Sequence, residues 1–142
     1  LTLSEIICYK QYERIIAEGD IRPYIFAVIS GTVNVIVREK DGREVFICSI
    51  GEGDVFGEAG IFLKVKRTAN IISAEETVIL RVKRDNMLNF IKKYKDSGIK
   101  ILMLIIYSLL RKLLEANQEI AFERKSDITQ DDIDSIIKEF VY

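Results

Sequence analysis

The stretch Thr32–Ile50, TVNVIVREKDGREVFICSI, decides the fold class. Val33, Val35 and Val37 fall on one face, and Thr32, Asn34, Ile36 and Arg38 on the other, the period-two alternation of a half-buried strand. Asp41-Gly42 reads as a tight type I′ hairpin turn, and Glu44–Ile50 returns as the paired strand. Upstream, Tyr24–Ser30 is a strand rich in aromatic and β-branched residues. Ile6–Tyr9 and Arg14–Ala17 are weaker strand candidates, with Gly19-Asp20 as a turn. Downstream, Gly51-Glu52-Gly53-Asp54 is a glycine-rich loop, and Asn70–Ala74 and Thr77–Lys83 are two more strands. Many short strands at regular spacing argue for a sandwich or barrel, and the fold expected is mainly β with C-terminal helices, an antiparallel β-roll or jelly-roll-like barrel of the double-stranded β-helix type.

After Lys83 the period changes to that of helices. Arg84–Tyr94 reads as a short helix with Met87, Leu88 and Ile91 on one face. Asp96 or Ser97 is expected to cap a longer helix running to about Lys125. Its middle, Ile101–Leu114, is apolar almost all round and has to be covered on more than one side. Thr129 and Asp132 form a capping-box-like start for a terminal helix with Ile133, Ile136, Ile137 and Phe140 on one face. The expected organisation is a barrel over 1–83 holding a functional cassette at 56–69, helices of the same domain over 84–125, and a short terminal helix or tail over 126–142.

Composition narrows the chemistry. A net charge of −1 offers no electrostatic footprint for nucleic acid or an anionic membrane. The sequence contains no histidine, which removes Ser-His and Cys-His nucleophile schemes and the His-ligated metal of cupin-type enzymes. No catalytic residue and no metal site is expected. Asp131, Asp132 and Asp134 lack the spacing and glycine of a calcium loop and read as acids at a helix start. Lys92, Lys93 and Lys95 read as a solvated helix end. Cys8 and Cys48, without metal or redox spacing, read as buried or half-buried thiols in a reducing compartment. Charges at Glu5, Lys10, Glu13 and Arg14 break any signal peptide, and the apolar run from Ile101 to Tyr107 is too short for a bilayer. A cytoplasmic protein with no membrane partner is the expectation.

Function concentrates in Phe56-Gly57-Glu58-Ala59-Gly60-Ile61-Phe62-Leu63, followed by Lys66-Arg67-Thr68-Ala69. Gly57 permits backbone conformations that expose N–H groups. A helical turn over Gly57–Ile61 would present unpaired donors and a positive dipole end to an anion. Arg67, nine positions after Glu58, supplies a guanidinium suited to phosphate oxygens. Glu58 repels a phosphate but accepts hydrogen bonds from a sugar hydroxyl. Thr68 adds a hydroxyl beside Arg67. Together these residues predict a ligand with one phosphate and one ribose hydroxyl. The bland alternative is a Glu58–Arg67 ion pair that only braces a loop.

This stretch resembles the phosphate-binding cassette of the cyclic-nucleotide-binding domain family, which includes bacterial catabolite activators, kinase regulatory subunits and gated channels. Glu18-Gly19-Asp20, Tyr24-Ile25-Phe26, Ser30-Gly31 and Gly53-Asp54-Val55-Phe56-Gly57-Glu58 are similar to the family's motifs in the same order, from about Tyr9 to Lys125. The resemblance implies a regulatory domain, not an enzyme, binding a cyclic nucleotide, with cyclic AMP ahead of cyclic GMP and no covalent cofactor. It implies ligand contacts at Phe56, Gly57, Glu58, Ala59, Gly60, Arg67, Thr68 and Ala69. Glu58 would take the ribose 2′-hydroxyl, Arg67 the phosphate, and N–H groups near Ala59, Gly60 and Thr68 or Ala69 the rest of the cradle. The long helix would close over the base, with Asn117 reading the purine, and would pair with its twin in a homodimer.

Two features depart from the family pattern. Lys66 stands where many members have proline, and after Lys125 a short acidic-leaning tail stands where the bacterial activators continue into a helix-turn-helix. DNA binding by this chain is therefore not expected. The alternative expectation is a degenerate member of the same family, a ligand-free dimerisation or docking domain.

Overall fold

A computed structural model describes residues 4–120 and 130–140. Eight strands and four helices follow in order: β1 (Ser4–Tyr9), β2 (Arg14–Ile16), β3 (Tyr24–Ser30), β4 (Val33–Arg38), β5 (Glu44–Ile50), β6 (Val55–Phe56), α1 (Ala59–Phe62), β7 (Asn70–Ser73), β8 (Thr77–Lys83), α2 (Arg84–Lys93), α3 (Lys95–Ile120) and α4 (Gln130–Phe140). They fall into two compact units, Leu1–Asn89 and Phe90–Tyr142.

In the first unit the strands form two four-stranded antiparallel sheets, in the orders β1-β8-β3-β6 and β2-β7-β4-β5. The mainly β, roll-like fold stands as expected, with one correction: no strand pair among the described residues joins the two sheets, so the barrel does not close. The alternation along the strands explains the layering, since each sheet gives one face to a shared core. Phe26, Val28, Phe56 and Ile79 come from one sheet, and Ile16, Val33, Ile50 and Ile71 from the other. Burying side chains of this size contributes roughly 1.5–3 kcal/mol each.

The central hairpin pairs β4 with β5 as predicted, with a register shift between Val35 and Ile36. Its turn is not type I′, because Asp41 does not take the positive φ that type I′ requires at both central residues. Glu39 N–H donates to Arg43 O, Gly42 N–H donates to Glu39 O, and Gly42 alone has φ 83°. That is the three-residue loop ending in a left-handed glycine.

The thiols also differ from expectation, since Cys8 and Cys48 are both exposed. Cys8 sits on β1, the first strand in its sheet's order, and Cys48 on β5, the last in the other, where sequence cannot tell an edge from a centre.

In the second unit, α3 begins at Lys95, so Asp96 lies in its first turn and neither Asp96 nor Ser97 caps it. Tyr94 N–H donates to Phe90 O and Gly98 N–H to Tyr94 O, so Tyr94 closes the last turn of α2 and its carbonyl accepts the first bond of α3, which puts Tyr94 in the N-cap position. On α3 Ile105 and Ser108 are buried, while Ile99, Leu104, Ile106, Leu109 and Leu113 are exposed. On α4, which packs on α3, Ile133 and Ile137 are buried one turn apart. The expected end of the long helix at Lys125 and the Thr129 cap lie outside the described residues. No helix among the described residues is long and apolar enough to cross a membrane.

Candidate functional site

The cassette hangs from the end of β6. Phe56 pairs in register with Phe26 on β3, and the two rings stack at 5.0 Å with 5° between their planes. Phe56 is 1% exposed, and its side chain lies in the core. An alternating pattern cannot separate a core aromatic from a pocket aromatic at a strand's end.

Gly57 follows with φ 75°, a conformation side chains resist, and a Cβ there would lie 3.0 Å from the Phe26 ring and 3.2 Å from Tyr24 O. The chain then turns into α1, with Glu58 as its N-cap residue in the helical region and its side chain not used as a cap. Glu58 is 6% exposed. Gly60 N–H donates to Gly57 O and Ile61 N–H to Glu58 O, both at 3.1 Å. The Gly60 donor expected in a phosphate cradle is thus held by the turn itself. Ala59 and Thr68 are exposed, and Ala69 is half-buried.

Arg67 returns to the same place from the extended loop after α1. Its backbone pairs both ways with the β2–β3 loop: Arg67 N–H donates to Asp20 O and Gly19 N–H to Arg67 O, each at 2.8 Å. Its guanidinium is half-buried and donates to three main-chain carbonyls. Nη1 reaches Gly57 O at 2.9 Å, and Nη2 reaches Tyr24 O at 2.5 Å and Arg22 O at 3.3 Å. Burial lowers its pKa, against the opposing pull of the Asp20 and Glu58 carboxylates. Gly60 closes over this group so tightly that a Cβ would stand 2.7 Å from Nη2.

Beneath Arg67 lies a cavity of about 10 Å³, lined by Ile15, Ile16, Asp20, Arg22, Tyr24, Phe26, Arg67 and Arg81. That is room for one water at most. Asp20 and Arg22 on this lining are joined by a 2.7 Å ion pair. The hydrogen bond from the Arg22 side chain holds the Asp20 carboxyl below its ordinary pKa. A wider groove of about 540 Å³ lies elsewhere in the unit, lined largely by the charged Arg14, Glu18, Arg38, Lys40 and Glu44, and none of the expected ligand residues lines it.

The structure therefore brings Gly57, Glu58, Gly60 and Arg67 together. Asn117 is exposed on α3, in the second unit. Sequence reasoning missed Arg22 and Arg81 as neighbours of Arg67. For Arg81 a signal was present, because Thr77, Ile79 and Arg81 alternate on one face of β8. No group of acids and thiols suited to a metal ion occurs among the described residues.

The profile of the family described as "Cyclic nucleotide-binding domain" matches residues 6–94. The Cyclic AMP receptor protein of Thermus thermophilus is 28% identical over 112 residues, which are 79% of this chain and 50% of that protein. A solved cyclic nucleotide-binding domain from Methylobacillus flagellatus superposes with a TM-score of 0.79 at 20% identity, covering 90% of this chain and 72% of that one. The Catabolite Activator Protein structure from Thermus thermophilus gives a TM-score of 0.67 at 26% identity, covering 84% of this chain and 54% of that one. The chain thus spans about half the length of the curated relatives it matches.

Proposed function

Since the chain belongs to the cyclic-nucleotide-binding domain family, we propose that it is a sensor whose cassette binds a cyclic nucleotide, cyclic AMP ahead of cyclic GMP. One observation carries the reading. Arg67, a permanent cation, is half-buried among neutral carbonyl acceptors, beside the buried carboxylate of Glu58. A guanidinium gains more from a phosphate than from carbonyl oxygens, because a phosphate adds an opposite charge and takes both prongs of the planar fork at once. Arg67 takes the phosphate. Glu58 takes the ribose 2′-hydroxyl, and Ala59, Thr68 and Ala69 complete the contacts. No covalent chemistry is involved, and this chain alone binds no DNA. Calorimetric titration of the chain with cyclic AMP and cyclic GMP tests the reading. Micromolar or tighter binding supports it, and no heat with either ligand removes it.

The output runs through α3. Ile99, Leu102, Ile106, Leu109 and Leu113 recur at alternating spacings of three and four, the seam of a coiled coil. All but Leu102 are exposed large apolar residues. Isoleucine at 99 and 106 with leucine at 102 and 109 is the pattern of a parallel two-stranded pair, so the chain forms a homodimer. Ligand occupancy repositions these helices, a two-state switch. The protein works in the cytoplasm. A second reading has one observation in its favour: the cavity is small, with Arg67 above it already holding three acceptors. A ligand-free dimerisation domain would be built so, and a thermal shift with neither nucleotide would support it.

A further inference from the structure

Arg81 stands where a sandwich core calls for an apolar side chain. Thr77 and Ile79, which share its face of β8, are 0% exposed. Arg81 pairs in register with Phe26 on β3 and Glu5 on β1. Its guanidinium lies over the Tyr24 ring, with Cζ 4.3 Å from the ring centre, and Nη2 donates to Glu5 Oε2 at 2.6 Å. Nε is buried and has no hydrogen-bond partner among the described residues. The Glu5 side chain is 56% exposed, so solvent screens the pair and Glu5 holds Arg81 weakly.

Arg81 also shares the small cavity with Arg67. Asp20 is the one carboxylate on that lining, and it is committed to Arg22. Two arginines besides Arg22 thus line one space with no wall carboxylate of their own. A single cyclic phosphate satisfies one of them. The edge of Arg81 formed by Nε and Nη2 is a two-pronged donor for a second phosphate, once Glu5 gives way. The present cavity is too small for any nucleotide, so entry must displace Arg67 from its carbonyls in either case.

We propose that Arg81 is a second anion-binding residue of the ligand site, and that the chain takes a nucleotide carrying two phosphate groups in preference to a cyclic mononucleotide. The inference rests on the reading that Arg67 receives a phosphate. A cyclic dinucleotide and a nucleoside diphosphate share the required chemistry, and the test separates them.

The test titrates the full chain with cyclic AMP, cyclic GMP, cyclic di-AMP, cyclic di-GMP, ADP and GDP, then repeats it with Arg81→Gln, Arg81→Lys and Glu5→Gln. A two-phosphate ligand is expected to bind at least tenfold tighter than either cyclic mononucleotide, and which of the two kinds does so identifies the source. Arg81→Gln should weaken that ligand at least tenfold more than it weakens the cyclic mononucleotides. Arg81→Lys should keep part of the preference. Glu5→Gln, which frees the fork, should tighten the two-phosphate ligand at least threefold. If Arg81→Gln does not fold by circular dichroism, the lysine and Glu5 variants decide. Cyclic mononucleotides binding as tightly as every two-phosphate ligand overturns this inference and leaves the family reading standing. A preference that none of the folded variants alters overturns the role of Arg81. Binding of none of the six nucleotides overturns both readings.

Discussion

Arg67 rests on three carbonyl oxygens from two different segments, Gly57 on one side and Arg22 and Tyr24 on the other. Any phosphate must compete with those acceptors, and the planar fork of arginine is what makes the exchange favourable. Arg67→Ala is therefore expected to weaken cyclic nucleotide binding by about 2–5 kcal/mol, and Arg67→Lys to recover only part. Titration calorimetry checks both, and unchanged affinity in the alanine variant removes the site. Glu58 makes a separable prediction, since a carboxylate repels the phosphate but accepts a hydrogen bond from a sugar hydroxyl. A 2′-deoxy cyclic nucleotide should bind less tightly than its ribose counterpart, and the gap should shrink in Glu58→Gln. Equal binding of the two ligands by the unaltered chain would falsify that role. At this scale the sequence was a partial guide. The residue types at 57, 58, 60 and 67 marked a stretch whose members come together in the structure. The acceptors of Arg67 were not legible, because they are main-chain atoms, two of them more than forty positions away. The stacking of Phe56 on Phe26 was not legible for a related reason, since strand pairing sets it.

Helix α3 is the element whose sequence and surroundings agree least. An exposed apolar stripe of this length is unusual on a solvated helix. A stripe with a three-four spacing buries itself best against a copy of itself. Leu109→Glu puts a charge in the middle of the seam at a position already exposed in one chain, so the fold of the single chain should survive. Light scattering at tens of micromolar is expected to give a dimer for the unaltered chain and a monomer for Leu109→Glu. A monomer in both cases rules the seam out. The strands were readable from alternation and turn residues, whereas the two-residue β6 was not, because two residues carry no period. The hairpin turn was read one type off, because Asp-Gly serves both a two-residue turn and a three-residue loop with a left-handed glycine. The start of α3 was misread because Asp96 and Ser97 look like caps, while the helix begins one residue earlier, with Tyr94 O accepting its first bond.

Across the whole molecule, the alternation of strands and the late change to helical period were enough for fold class, because one buried face per strand admits few arrangements. Whether the sheets close into a barrel depends on which strands pair at the edges, and periodicity says nothing about that. Charge bears on the molecule's response to pH. The chain has no histidine, so no side chain with an ordinary pKa near 6.5 titrates in the neutral range. Stability should therefore be nearly flat between about pH 5 and 7. Below that range Asp20 contributes a defined share of the loss. The Arg22 side-chain hydrogen bond, followed by smaller backbone and charge effects, holds the folded Asp20 pKa below its unfolded value of 3.8. A carboxyl with a depressed folded pKa stabilises the folded state above its unfolded pKa. That contribution is lost as pH falls from 3.8 through the lower folded value. Arg22 is 61% exposed, so screening limits the share to about 1 kcal/mol or less. Asp20→Asn keeps the main-chain carbonyl that accepts from Arg67 but cannot titrate. Chemical denaturation of both proteins from pH 2 to 7 should show the variant less stable at pH 7, with the two curves converging below pH 3.8. A constant gap across the whole range means that the Asp20–Arg22 pair does not contribute through its charge.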